Sequence, residues 1–218
     1  MDTDLFTATF PHLYHMSAAG SWPSIQRDGL LSTSALLDAE GVEGSARCRI
    51  ESERRPEAVV LPQSGRVIRD QRPMSDTLVA RSLEGSGLAP SDWYRLLNSM
   101  VFFFAHEEGL ARLLNARSYR DQEHDVLVVD SHSLISTHLD HVRLCAINSG
   151  ATFLKPQPRG PDTFKPLAEY PFAQLARRRG SPAKAIAECC VIGQVPDISC
   201  HTRAVFRMKQ GRRLRKIL

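Results

Sequence analysis

The chain has 218 residues, 42% of them hydrophobic and 24% charged, with a formal net charge of +4. That length suits one large domain, or one domain with an insertion, and the apolar content is enough for a real core. No run approaches the roughly 20 apolar residues of a membrane span, and Met1-Asp2-Thr3-Asp4 lacks a basic start, so neither a transmembrane helix nor a secretory signal is expected.

In chain order, Leu13-Tyr14-His15-Met16-Ser17 reads as an apolar strand closing on a histidine and a hydroxyl. An amphipathic helix over residues 23–28 follows, with Ser21 as its N-cap, and Gly29 stops it directly before a second strand at Leu30-Leu31-Ser32. Residues 34–38 make a further helical turn, and residues 40–57, charged and rich in Gly and Ser, a surface helix or mobile loop. Val59-Val60-Leu61 and Val67-Ile68-Arg69 flank Ser64-Gly65 at hairpin spacing. Helical periodicity covers residues 75–83 and 91–98, each opening on a hydroxyl.

Val101-Phe102-Phe103-Phe104 is a strand, residues 107–116 a helix with one leucine face, and residues 125–130 a β-branched buried strand. Residues 141–146 alternate as a strand should. Residues 150–170, dense in Pro and Gly, exceed the usual connection length and read as a binding loop or lid. Residues 186–192 form the last clear strand, and Ala204-Val205-Phe206 a further one. Short strands with irregular connections predict an α+β fold, a split, mainly antiparallel sheet with flanking helices, in one domain that ends in a basic tail at residues 207–218.

Five cysteines, at 48, 145, 189, 190 and 200, are odd in number and lack metal-type spacing, which suits a reduced, cytoplasmic protein without structural zinc. Cys189 and Cys190, adjacent in a strand, should face opposite ways. His132, His138 and His141 have no H-E-x-x-H or Cys/His pattern around them, so no metal is expected. Neither a Rossmann nor a P-loop glycine motif occurs.

Two residues stand out chemically. His15 lies at a strand end among Ser17, Gly29 and Ser32, small or hydrogen-bonding groups. Glu188 interrupts an apolar strand, where an unpaired carboxylate would be expensive to bury, so it faces solvent, pairs with a cation or belongs to a site. Arg69 follows an apolar run and can clamp a diphosphate with its planar fork, or cap a surface turn. Asn148 and Ser149 precede a glycine that permits close backbone approach, and Arg159 lies in the long loop beyond.

Taken together, these motifs resemble the ADP-ribosyltransferase superfamily, in particular its DarT-type branch. The similarity lies in the opening Leu13-Tyr14-His15-Met16-Ser17 with Ser24-Ile25-Gln26-Arg27-Asp28-Gly29-Leu30-Leu31-Ser32, in Val101-Phe102-Phe103-Phe104, in residues 125–130, and in Ala187-Glu188-Cys189-Cys190-Val191 followed by Gln194-Val195-Pro196-Asp197. It spans residues 11–198 and skips 40–98, an insertion-like stretch. The resemblance implies NAD as substrate, His15 against a ribose, Glu188 as the catalytic acidic residue, Arg69 as an NAD anchor, and Phe103 or Phe104 as a stacking surface. It further implies DNA, RNA or protein as acceptor and a cognate antitoxin. An RNA 2′-phosphotransferase, or a non-catalytic nucleic-acid binder using the basic C-terminal end, are the alternatives.

Overall fold

The first strand forms where the first apolar run lies. The structure, a computed structural model of the chain, describes residues 1–152 and 156–218. The first half contains α1 (Thr3–Thr9), β1 (His12–Ala18), α2 (Trp22–Asp28), β2 (Leu30–Leu31), α3 (Thr33–Ala39), α4 (Gly44–Glu51), β3 (Val59–Val60), β4 (Val67–Ile68), α5 (Asp76–Ser82) and α6 (Pro90–Asn98). The second contains β5 (Met100–Phe104), α7 (Glu107–Leu114), β6 (His124–Asp130), α8 (Ser131–His138), β7 (Val142–Cys145), β8 (Phe164–Pro166), α9 (Phe172–Arg179), β9 (Glu188–Ile192), β10 (Gln194–Val195), α10 (Ile198–His201), β11 (Thr202–Lys209) and β12 (Arg212–Lys216). The fold is α+β, as expected, and among the described residues no helix is long and apolar enough to cross a membrane.

Eight strands make one sheet in the order β12-β11-β6-β1-β5-β9-β7-β8, every neighbouring pair antiparallel. Its weak seam lies between β1 and β5. β1 pairs with β6 from His12 through Ala18, and β5 with β9 from Met100 through Phe104, yet β1 and β5 share only Tyr14↔Phe104. Continued register would set Met16 against Phe102. Instead the His15 ring enters the gap, and its Nδ1 lies 2.8 Å from the Phe102 carbonyl oxygen. A side chain thus replaces a ladder bond where the sheet splits.

The two sheet faces are filled differently. One carries the main core, with Phe6, Leu13, Phe103, Leu127, Leu134, Cys189 and Val191 in one cluster. Each such fully buried side chain contributes about 1.5–3 kcal/mol, so this face holds the sheet together. The other face has two separate clusters: Met74, Val79, Trp93, Tyr94 and Cys190 under α5 and α6, and Met16, Leu110, Leu114 and Val126 under α7. The split opens between them. Cys189 and Cys190 fall in opposite clusters, as alternation requires, and all five cysteines are free.

Several expectations change. Residues 207–218 are no loose tail: residues 207–209 complete β11, where Arg207 pairs with buried Asp125 at 2.6 Å, and Arg212–Lys216 form the edge strand β12. The stretch 150–170 is not all loop, since Phe164–Pro166 pairs with β7; its residues 153–155 lie outside the described set. Ser21 makes no side-chain cap on α2. Asp125 takes that role from across the sheet, its Oδ2 accepting from the N–H groups of Gly20 (2.8 Å) and Trp22 (3.3 Å).

Gly29 ends α2 at φ +83°, and a Cβ there would lie 2.6 Å from Cα of Pro196. Gly29→Ala is therefore expected to destabilise the fold by about 2–3 kcal/mol, through backbone strain and the clash. Thermal unfolding should show the midpoint falling by roughly 5–10 °C.

Candidate active site

The split widens into a cavity of about 690 Å³, within the roughly 300–1,000 Å³ typical of small-molecule sites. His15, Ser17, Ser32, Arg69, Asn148, Ser149 and Glu188 all border it. Seven of the nine residues expected to act are thus gathered from five separate parts of the chain. Tyr14, Phe104 and Glu188 form one row across the sheet, so two interstrand steps, about 10 Å, separate the backbone beside His15 from that of Glu188.

Glu188 opens β9 opposite both Phe104 and Cys145 and is 5% exposed. Two donors converge on its Oε2: the Ser149 hydroxyl at 2.6 Å and the Ser149 backbone N–H at 3.1 Å. Among the described residues Oε1 has no hydrogen-bond partner. Burial pushes the carboxyl up to about 7, opposed by the Ser149 bonds and by the positive charge of Arg159.

His15 is held differently. A carbonyl oxygen only accepts, so Nδ1 donates to Phe102 and Nε2 keeps its lone pair. Burial lowers the imidazole to about 4, against the Phe102 bond and with Arg69 adding repulsion, so the ring stays neutral. The split therefore offers a hydrogen-bond acceptor on one side and a carboxylate on the other.

Arg69 enters from the β3–β4 hairpin. Its Nη1 donates to Nδ1 of His124 at 3.0 Å, while Nε2 of His124 donates to the Tyr119 carbonyl at 3.2 Å. The guanidinium lies 4.9 Å from the Tyr119 ring centre, and the Tyr119 hydroxyl donates to Asp70 at 2.6 Å. Three other arginines border the cavity but are engaged: Arg27 and Arg66 share Asp28, and Arg55 donates to the carbonyls of Ile50 and Arg69. Among the described residues Arg69 forms no ion pair with a carboxylate.

The hydroxyls are less free. Ser17 donates to the Asp125 carbonyl at 3.2 Å, and Ser32 caps α3 by accepting from Ala35 at 3.2 Å. Two expected residues do not border the cavity. Phe103 is fully buried in the main core, its ring 5.7 Å from that of His15, because strand alternation sends Phe102 and Phe104 to the cavity instead. Arg159 is buried outside the cavity, donating to the carbonyls of Ala151 (2.6 Å), Gln157 (3.0 Å) and Asn148 (3.3 Å) and lying 5.7 Å from the Trp93 ring centre. It is a positioning residue that clamps the segment carrying Ser149. Tyr119 and His124 escaped sequence reasoning, since no spacing links them to Arg69.

The chain belongs to the DUF7002 family, a family of unknown function, which matches residues 11–202. No curated protein matches the sequence. Among solved structures, it is similar to Thermosipho africanus DarTG in complex with ADP-ribose, at 15% identity and a TM-score of 0.45. That likeness takes in 92% of this chain, which spans 44% of the DarTG chain.

Ser149→Ala removes one of the two donors to Oε2, which should push Glu188 further upward in pH. Because the Glu188 carboxyl is raised on folding, its proton stabilises the fold below the unfolded value of 4.5, and that stabilisation is lost as pH rises through about 7. Glu188→Gln should therefore lack a decline, on the order of 3 kcal/mol, that denaturant titrations between pH 4 and pH 8 reveal in the parent chain.

Proposed function

We propose that the chain is an ADP-ribosyltransferase-like enzyme that takes NAD as substrate. The observation that carries this reading is Glu188, a buried carboxylate held at Oε2 by Ser149, bordering the same cavity as the neutral imidazole of His15. The motif order in the sequence supports it independently.

The chemistry suits these groups. Nicotinamide departs with the electron pair of its bond to C1′ and needs no strong acid, because its ring already carries the positive charge being discharged. The sugar becomes oxocarbenium-like, and an ionised Glu188 accepting from a ribose hydroxyl gains strength as that charge grows. His15 Nε2 accepts from a second hydroxyl and fixes the sugar's orientation. Arg69 offers its fork to diphosphate oxygens. As the acceptor bonds to C1′, its proton passes to Glu188.

An RNA 2′-phosphotransferase would use several unpaired guanidinium groups, whereas Arg27, Arg66 and Arg55 are already engaged. A nucleic-acid base or a protein side chain is the proposed acceptor. The exposed Arg212, Arg213, Arg215 and Lys216 on the edge strand β12 favour a polyanion. A cognate antitoxin and a cytoplasmic setting belong to the same proposal.

The test is label transfer from NAD to single-stranded DNA, RNA or protein, with NAD hydrolysis as a second readout. Glu188→Gln, folded by circular dichroism, should lower both by at least about 100-fold. Retention of parental rates in that variant would remove the reading. Since the ionised carboxylate is required and His15 stays neutral down to about 4, the rate should fall about tenfold per pH unit below pH 7.

A further inference from the structure

On the opposite face of the sheet from α7, a third group of chemistry-bearing side chains comes together. His138 ends α8, and Asp197 and His201 stand one turn apart at the two ends of α10. Nε2 of His138 lies 2.7 Å from Oδ1 of Asp197, and Nε2 of His201 lies 3.1 Å from Oδ2 of the same carboxylate. One donor atom from each falls within 4.8 Å of the others, and among the described residues this is the one trio of His, Cys, Asp or Glu groups so placed.

We propose that His138, Asp197 and His201 bind a divalent first-row transition ion, with zinc as the natural occupant, that staples α8 to α10. Metal–ligand bonds of about 2.0–2.2 Å set tetrahedral ligands about 3.3 Å apart, so shifts of about 1 Å bring these atoms onto one ion. His138 and Asp197 have the room for it, their side chains being 13% and 36% exposed. Buried His201 supplies the fixed point, with its Nδ1 2.7 Å from Oγ of Ser133. Ser133 is itself held, its N–H donating to Asp130 at 2.7 Å.

That outer contact is what a ligating imidazole needs: with the ion bound, Nδ1–H donates to Ser133, and Nε2, which faces Asp197 in the metal-free chain, turns its lone pair to the ion. Two imidazoles and one carboxylate, without a thiolate, suit zinc, cobalt or nickel better than calcium or magnesium. The exposed side of Asp197 leaves an entry path and a place for a water as fourth ligand.

The position gives the ion a structural role. Asp197 follows β10, whose Val195 pairs with Leu30 of β2, and β2 borders the cavity. Fixing α10 on α8 holds that rim from behind. The inference stands apart from the proposed catalysis, and either can fail alone.

The experiment uses the full chain, freed of any histidine tag and stripped with chelator, titrated with zinc chloride by calorimetry and thermal unfolding. One ion per chain should bind, and the unfolding midpoint should rise by roughly 5–10 °C at zinc about 100-fold above Kd. His138→Gln and Asp197→Asn should each keep the metal-free circular dichroism spectrum and weaken binding by at least about tenfold. Cobalt in place of zinc should give a spectrum without a thiolate charge-transfer band. The proposal is overturned if the parent chain shows neither heat nor a midpoint shift, or if both variants bind as the parent does. A cobalt–thiolate band would equally overturn it, by moving the ion to exposed Cys48 or Cys200.

Discussion

Holding a carboxylate inside an apolar strand is the constraint on which the rest of this site depends. Glu188 lies between Phe104 and Cys145 on neighbouring strands, where an ionised group without partners would cost several kcal/mol. The hydroxyl and N–H of Ser149 offset part of that cost at a single oxygen, which orients the carboxylate, while burial still holds the carboxyl up at about 7. Ser149 can do this only if its own segment is immobile. Arg159 ensures that by drawing the carbonyls of Asn148 and Ala151 together over Trp93. A buried guanidinium outside the cavity thereby controls the orientation of the group inside it.

Across the seam, two neutral histidines carry opposite tautomers, each dictated by a carbonyl. Phe102 takes the Nδ1 proton of His15, and Tyr119 takes the Nε2 proton of His124. The first imidazole is left with an acceptor in the split, the second with an acceptor on which Arg69 rests. Burial is the main reason both rings stay uncharged, and the nearby Arg69 reinforces it. The result is a cavity with a carboxylate and a lone pair at the seam and a fixed cation on its far wall.

That far wall comes from residues 40–98, which match the recognised motifs least. The β3–β4 hairpin buries Leu61 and Ile68 against Leu37 in a small core of its own, and so carries Arg69 to the cavity without drawing on the main sheet. On the opposite rim, buried Asp125 is held by Arg207 and by two N–H groups at the start of α2. The helix that leads to Gly29 and β2 is thus anchored to the centre of the sheet.

Periodicity in the sequence was enough for the strands whose two faces are both packed. The β-branched run at 125–130 read correctly because burial on both sides demands apolar residues, and the Phe triplet at 102–104 because Phe103 is buried in the core while its neighbours line a largely apolar cavity wall. The helix before Gly29 was legible because a positive φ there excludes other residues. His15 and Glu188 were legible as polar residues that an apolar strand must account for. By contrast, α1, α8 and α9 were missed, as were the edge strands β8 and β12, whose exposed or proline-containing sequences look like loop. Which of Phe102, Phe103 and Phe104 faces the cavity depended on register with β9, and whether Arg159 meets substrate or backbone depended on how the chain returns past Trp93. Sequence fixes what a residue can do through local propensity and charge; partners such as Arg69 with His124, or His138 with Asp197, are 55 and 59 positions apart and meet only when the sheet is assembled.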